Sequence, residues 1–226
     1  MLVTRPEPGA SETAQRLRVL GFEAVLAPLL RILPLAIRMP PGVAATLVAS
    51  GNAIPALPAT LHGVPMLAVG DATAARARAA GFLHVASAGG DAADLAALAA
   101  RNCRPGAALL LAAARGQGVE LARALRVQGF VVHRRAAYAA QPAGSMPQAA
   151  LRAMGGGGGG LLAALFLSAE TAAAFVRLLP AAAYPLLAGM DALVIGEAAA
   201  VALRVLPWRR VRVSAKPNLD SILAML

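Results

Sequence analysis

The chain has 226 residues, 58% of them hydrophobic, and 21 Lys plus Arg against 11 Asp plus Glu give a formal charge of +10. At about 150 residues per domain this length suits one large or two small domains with an ample core, which excludes general disorder. A single cysteine, Cys103, excludes an intramolecular disulfide and a cysteine-cluster metal site, and the expected compartment is the reducing cytoplasm.

The opening Met1-Leu-Val-Thr-Arg-Pro lacks the basic and apolar regions of a secretory signal. The longest apolar stretch, Leu186 to Leu206, carries Asp191, Glu197 and Arg204, so no membrane span and no membrane partner are expected. All basic residues except Lys216 are arginine, a usage that a genome's base-composition bias also produces.

In chain order, short apolar runs alternate with Ala-rich stretches of helical length. Strands are expected at Leu2–Thr4, Ala24–Ala27, Thr46–Ala49, Met66–Val69, His84–Ala86, Ala108–Ala112, Val131–Arg135, Ala164–Leu167, Ala192–Ile195 and Val211–Val213. Helices are expected at 10–20, 52–60, 71–80, 91–101, 117–128, 169–179, 197–206 and 218–225. Runs such as Leu47-Val-Ala and Leu165-Phe-Leu are apolar throughout, as strands buried on both faces of a parallel sheet are. The fold class is therefore α/β.

The strand-helix units repeat. Leu17-Arg-Val-Leu-Gly21-Phe22 matches Leu125-Arg-Val-Gln-Gly129-Phe130, each with glycine just past a helix end. Ala68-Val-Gly70-Asp-Ala-Thr73-Ala matches Val194-Ile-Gly196-Glu-Ala-Ala199-Ala, and upstream of each a strand ends in serine, Ser50 or Ser168. Two similar domains follow, each a parallel sheet flanked by helices. The extended stretch Leu29–Leu35 is expected to pair with Val131–Tyr138 as a two-stranded hinge. One domain, residues 35–138, is then inserted in the other, residues 1–34 plus 139–226. The run Gly155–Gly160 reads as a surface loop, since ordering it would cost conformational entropy.

His62, His84 and His133 have no partners at ligand spacing, so no metal site is expected. Cys103 has no adjacent histidine, and no nucleophile elbow, dinucleotide fingerprint or phosphate loop is present, so no cofactor is expected. What remains is a set of small polar residues at strand carboxyl ends, where parallel sheets bind ligands: Thr4-Arg5, Ser50-Gly51-Asn52, Gly70 to Thr73, and Ser168. Helix N-termini there favour anions. Taken singly, Ser50, Thr73 and Ser168 read better as helix caps worth about 1 kcal/mol each. Taken together, in two domains facing one another across a hinge, they suit a polyanionic small molecule. A nucleic-acid partner is not expected, because the arginines are scattered and lack interleaved aromatics.

The ordered series Val3-Thr4-Arg5-Pro6, Leu20-Gly21-Phe22, Pro28-Leu-Leu, Ser50-Gly-Asn52-Ala, Val69-Gly70-x-x-Thr73-Ala, Arg134 to Tyr138, Leu167-Ser168, Ile195-Gly196 and Ala215-Lys-Pro-Asn218 resembles the uroporphyrinogen-III synthase family over nearly the whole chain. The resemblance implies two α/β domains joined by a two-stranded β-ladder with the active site between them. It also implies a cofactor-independent hydro-lyase that closes hydroxymethylbilane to uroporphyrinogen III with inversion of the last pyrrole ring. Tyr138 is its expected catalytic residue, and Arg5, Ser50, Asn52, Gly70, Thr73, Ser168 and Gly196 are its expected substrate-binding set. A monomer is implied, with room for a transient contact with hydroxymethylbilane synthase. Two departures stand out: Ala199 where a threonine would repeat, and Asn218 in place of a threonine. A non-catalytic two-domain protein that closes on a polyanion fits the same residues.

Overall fold

A computed structural model describes residues 1–156 and 161–226. In chain order it contains β1 (Leu2–Val3), α1 (Gly9–Val19), β2 (Val25–Leu26), β3 (Leu30–Pro34), β4 (Ala45–Val48), β5 (Met66–Ala68), α2 (Asp71–Ala79) and β6 (Val85–Ser87). Then come α3 (Ala92–Asn102), β7 (Ala108–Ala114), α4 (Val119–Val127), β8 (Val131–Pro142), α5 (Gln148–Gly155), β9 (Ala163–Phe166) and α6 (Ala169–Leu178). The chain finishes with β10 (Asp191–Val194), α7 (Glu197–Leu203), β11 (Arg210–Val213) and α8 (Leu219–Leu223). The expected α/β architecture of parallel sheets flanked by helices is the one the chain adopts.

Two compact units are present, Met1–Arg31 with Gln141–Leu226, and Ile32–Ala140. In the first, five strands run in the order β11-β10-β9-β1-β2, all neighbours parallel. On one face Val3, Leu165 and Leu193 meet Ala10 and Leu17 of α1 and Ile222 of α8. The other face carries an aromatic nest in which Phe166 lies edge-on to Phe175 at 5.2 Å and to Trp208 at 5.9 Å. Such edge contacts add to the area these large rings bury.

In the second unit the order is β3-β8-β7-β4-β5-β6. Every described pair among β8, β7, β4, β5 and β6 is parallel. The bonds Leu35 N to Ala137 O, 2.8 Å, and Ala143 N to Leu29 O, 2.9 Å, flank β3 with numbers running opposite ways, so this edge strand is antiparallel to β8. Its partner is the segment 137–143 at the far end of β8, and not the expected Val131–Tyr138, which pairs in parallel with Ala108–Ala114 of β7. Alternate residues point to opposite sides of a strand, and here both sides are core. Leu109 and Leu111 of β7 join Leu47 and Leu125 below the sheet, whereas Leu110 and Ala112 join Val48, Met66 and Ile54 above it. That double burial is why these strands read as continuous apolar runs.

Strand order makes the sequence repeat a topological one: β9, β10, β11, β1 and β2 hold the places in one sheet that β4, β5, β6, β7 and β8 hold in the other. The matched helix ends also close alike. Gly21 and Gly129 have φ of +83° and +88°, and behind them Phe22 N bonds Leu17 O as Phe130 N bonds Leu125 O. Only glycine adopts that left-handed turn without strain, which explains the glycine in both copies.

Two further expectations fail locally. Residues 52–60 are not an α-helix but two 3₁₀ segments, Gly51–Ala56 and Ala59–Leu61, because Pro55 and Pro58 each remove a backbone N–H that a continuous helix needs. Gly155, expected in a loop, is the last residue of α5, where a glycine forfeits less than in a helix interior; residues 157–160 of the same run lie outside the described residues.

Candidate functional site

Parallel strands release their chains at a common rim. In the second unit Val48 is in register with Ala68, so Ser50 and Gly70, each two residues further on, leave the sheet side by side. Ser50 is extended and caps the 3₁₀ turn, its Oγ accepting from Asn52 N at 3.3 Å. Asn52 is half-buried in that turn. Gly70 opens α2, whose first N–H groups have no partner within the helix. Thr73 lies in that first turn, 9% exposed.

Tyr138 stands on β8 opposite Ala114, at a bulge between Ala113 and Ala114, and its carbonyl accepts from Arg115 N at 2.8 Å. Tyr138 is 7% exposed and belongs to the apolar cluster that also holds Ala53 of the Ser50 turn and Ala112 of β7. The second unit therefore gathers Ser50, Asn52, Gly70, Thr73 and Tyr138 at one sheet end.

The first unit builds an equivalent rim. Phe166 is in register with Val194, so Ser168 and Gly196 leave β9 and β10 side by side as Ser50 and Gly70 leave β4 and β5. Ser168 caps α6, with Thr171 N donating to its Oγ at 3.1 Å and the two hydroxyls 2.8 Å apart. Arg5, following β1, sends Nη1 to Thr13 Oγ1 at 3.3 Å, and its guanidinium lies over Gly9. Thr4 corrects the sequence reading: it is fully buried, and its hydroxyl donates to Leu165 O at 2.6 Å instead of facing a ligand.

Gly70 and Gly196 differ from the turn glycines. Their φ values, −157° and 178°, are extended backbone that any residue adopts, and a Cβ at either would meet no atom within 4 Å. Neither torsion nor internal packing calls for glycine there. At the departure Ala199, 1% exposed, the methyl is core, and at the departure Asn218 the Oδ1 caps α8 by accepting from Ser221 N at 2.8 Å.

Elsewhere the chemistry is structural. Burial pushes the Cys103 thiol up, away from thiolate reactivity. His62 packs on Phe82 with centroids 4.7 Å apart. No group of three or more His, Cys, Asp or Glu capable of holding a metal occurs among the described residues. No helix among the described residues is long and apolar enough to cross a membrane. Sequence reasoning missed two features. Arg76 of α2 lies against Gly51, and Asp191 at the start of β10 is gripped by Arg209, Arg210 and Arg212. The three arginines are near neighbours in the chain, but the carboxylate they share lies 18 residues before Arg209.

The family model described as Uroporphyrinogen-III synthase HemD matches residues 11–224. The chain belongs to the uroporphyrinogen-III synthase family. Among solved structures, the uroporphyrinogen-III synthetase of Helicobacter pylori 26695 is 18% identical, aligned over 99% of this chain and 96% of that chain with a TM-score of 0.63. A mutant uroporphyrinogen III synthase from the extremely thermophilic bacterium Thermus thermophilus is 21% identical over 100% of this chain and 96% of that one, with a TM-score of 0.47. The Helicobacter likeness shows the shared α/β fold. No curated protein matches the chain. As a uroporphyrinogen-III synthase family member the chain has a small-molecule substrate, and the two rims are where its strands deliver polar groups.

Proposed function

We propose that the chain is a cofactor-independent uroporphyrinogen-III synthase, converting hydroxymethylbilane to uroporphyrinogen III with loss of water in haem biosynthesis. The family match over residues 11–224 carries this reading. The linear substrate bears an acetate and a propionate on every ring. Departure of its terminal hydroxyl leaves an azafulvene, which the substituted position of the last pyrrole attacks to form a spiro intermediate that fragments and recloses inverted. Pyrrole nitrogens supply the electrons, so the protein's task is to position the chain and stabilise charge.

In this proposal the substrate carboxylates are received at the two rims by the amides that follow Gly70 and Gly196, with Ser50, Asn52, Thr73, Ser168 and Arg5 beside them. The open space over both glycines supports it, since a ligand approaching the backbone closely is a reason for glycine that neither torsion nor packing supplies. Helix N-termini there favour carboxylates. Tyr138 donates a proton or hydrogen bond to the departing hydroxyl. The antiparallel pairing of β3 with β8, at the two places where the chain passes between units, supports a two-stranded ladder as their joint. In this reading residues 35–138, which lie within the compact unit Ile32–Ala140, form the inserted domain. The reading further takes the protein as a cytoplasmic monomer that meets hydroxymethylbilane synthase only transiently.

The decisive assay generates hydroxymethylbilane in situ, adds the protein, oxidises, and separates the uroporphyrin isomers. Spontaneous closure gives type I. Type III is the expected product, and type I alone from folded protein would leave a binding protein without chemistry.

A further inference from the structure

Gly51 has an ordinary backbone, yet a Cβ built on it would come within 2.7 Å of Arg76 Cδ, 3.0 Å of Nη1 and 3.5 Å of Cζ. The side chain of Arg76 thus lies against Gly51, occupying the place a side chain at position 51 would take. Two elements set this up. β4 delivers the Ser50-Gly51-Asn52 turn and β5 delivers α2, which leaves the neighbouring strand in register with it. Within α2, Thr73 and Arg76 are three residues apart and so share one face of the helix. Arg78, two positions further, serves a different end, donating to Val85 O at 2.9 Å and tying α2 to β6.

We propose that Arg76 is a substrate-positioning residue whose guanidinium receives one carboxylate of the tetrapyrrole beside Ser50 and Thr73, and that Gly51 is glycine in order to let it lie there. The inference rests on the synthase reading above and names a receptor that reading lacked. The chemistry favours arginine for this place. A planar guanidinium presents paired donors matched to a carboxylate, and its flat face can rest on a peptide where no Cβ intervenes. Arg76 is half-buried with its Cδ against the turn, so less rotamer freedom is lost when the carboxylate arrives.

The test measures type III formation at graded substrate concentration and salt for the wild type, Arg76→Gln, Arg76→Lys, Gly51→Ala and the double variant, with thermal melting of each. Arg76→Gln should raise KM about tenfold with kcat within about twofold, and flatten the rise of KM with salt. Arg76→Lys should recover only part of the loss, because an ammonium lacks the planar fork. Gly51→Ala should raise KM similarly, and the double variant should be no worse than Arg76→Gln alone, since both changes remove one interaction. An unchanged KM in folded Arg76→Gln, or additive losses in the double variant, would overturn the assignment and leave the synthase reading standing. A wild type that makes only type I product overturns that reading, and the assignment with it.

Discussion

Arg209 donates from Nε to Oδ1 of Asp191 at 2.7 Å, and Arg210 adds Nε to the same oxygen at 3.3 Å and Nη2 to Oδ2 at 3.0 Å. Asp191, 3% exposed, is the first residue of β10, the strand whose partners on either side are β9 and β11. Arg209's hydrogen bond is the main cause holding Asp191 below the usual carboxylate range; burial opposes it and Arg210 assists. A carboxylate with a lowered folded pKa stabilises the fold at pH above its unfolded value of about 3.9, and that stability is lost as pH falls through the folded value. Asp191→Asn should therefore lower stability by about 1–3 kcal/mol at pH 7. Chemical denaturation as a function of pH checks this: the difference between wild type and variant should shrink below about pH 4, and a constant difference would remove the charge from the explanation.

Tyr138→Phe keeps the buried ring and removes only the phenol. Activity should fall about 10²-fold or more in kcat, the scale of general acid assistance, with KM little changed and the melting temperature within a few degrees of wild type. Equal turnover would make Tyr138 a packing residue of the β8 bulge.

Gly70→Ala and Gly196→Ala separate ligand approach from folding. A methyl at either position meets no atom within 4 Å, so thermal melting should be unchanged or slightly raised. Substrate half-saturation should rise severalfold if carboxylates approach these amides. Unaltered kinetics in both would move the anion contacts elsewhere.

Ser168→Ala tests a hydroxyl already committed to Thr171. Loss of the α6 cap should lower stability by about 1 kcal/mol, read by urea denaturation. A change in KM beyond that seen for an equally destabilised variant elsewhere would give Ser168 a contact with substrate as well.

Thr46 is fully buried on β4 with Oγ1 lacking a hydrogen-bond partner among the described residues. Thr46→Val retains its shape and removes the unpaired hydroxyl, so stability should be unchanged or rise by about 1 kcal/mol, measured by the shift in denaturation midpoint. A loss of more than that would mean the hydroxyl is satisfied in solution.

Most of the architecture was legible in the chain because its signals are local. Continuous apolar runs such as Leu109-Leu-Leu mark strands covered on both faces, and the Gly21 and Gly129 turns need a conformation that one residue type supplies. The repeat of Ser50 with Gly70 as Ser168 with Gly196 is local too, since each pair marks two strand exits. What the chain order could not decide were relations set by register between distant strands. Thr4 and Arg5 are neighbours, yet pleat direction buries one hydroxyl on Leu165 O and carries the other side chain out over Gly9. Gly51 looks like any turn glycine until α2 lays Arg76 across it, and Asp191 finds Arg209 and Arg210 only because β10 and β11 pair in parallel with Asp191 opposite Arg210. Sequence by itself determined most of the elements, their repeat and the family; tertiary structure decided which polar groups became caps, which became buried ion pairs and which stand at the rim, because burial and partner distance are properties of packed strands and not of residues in line.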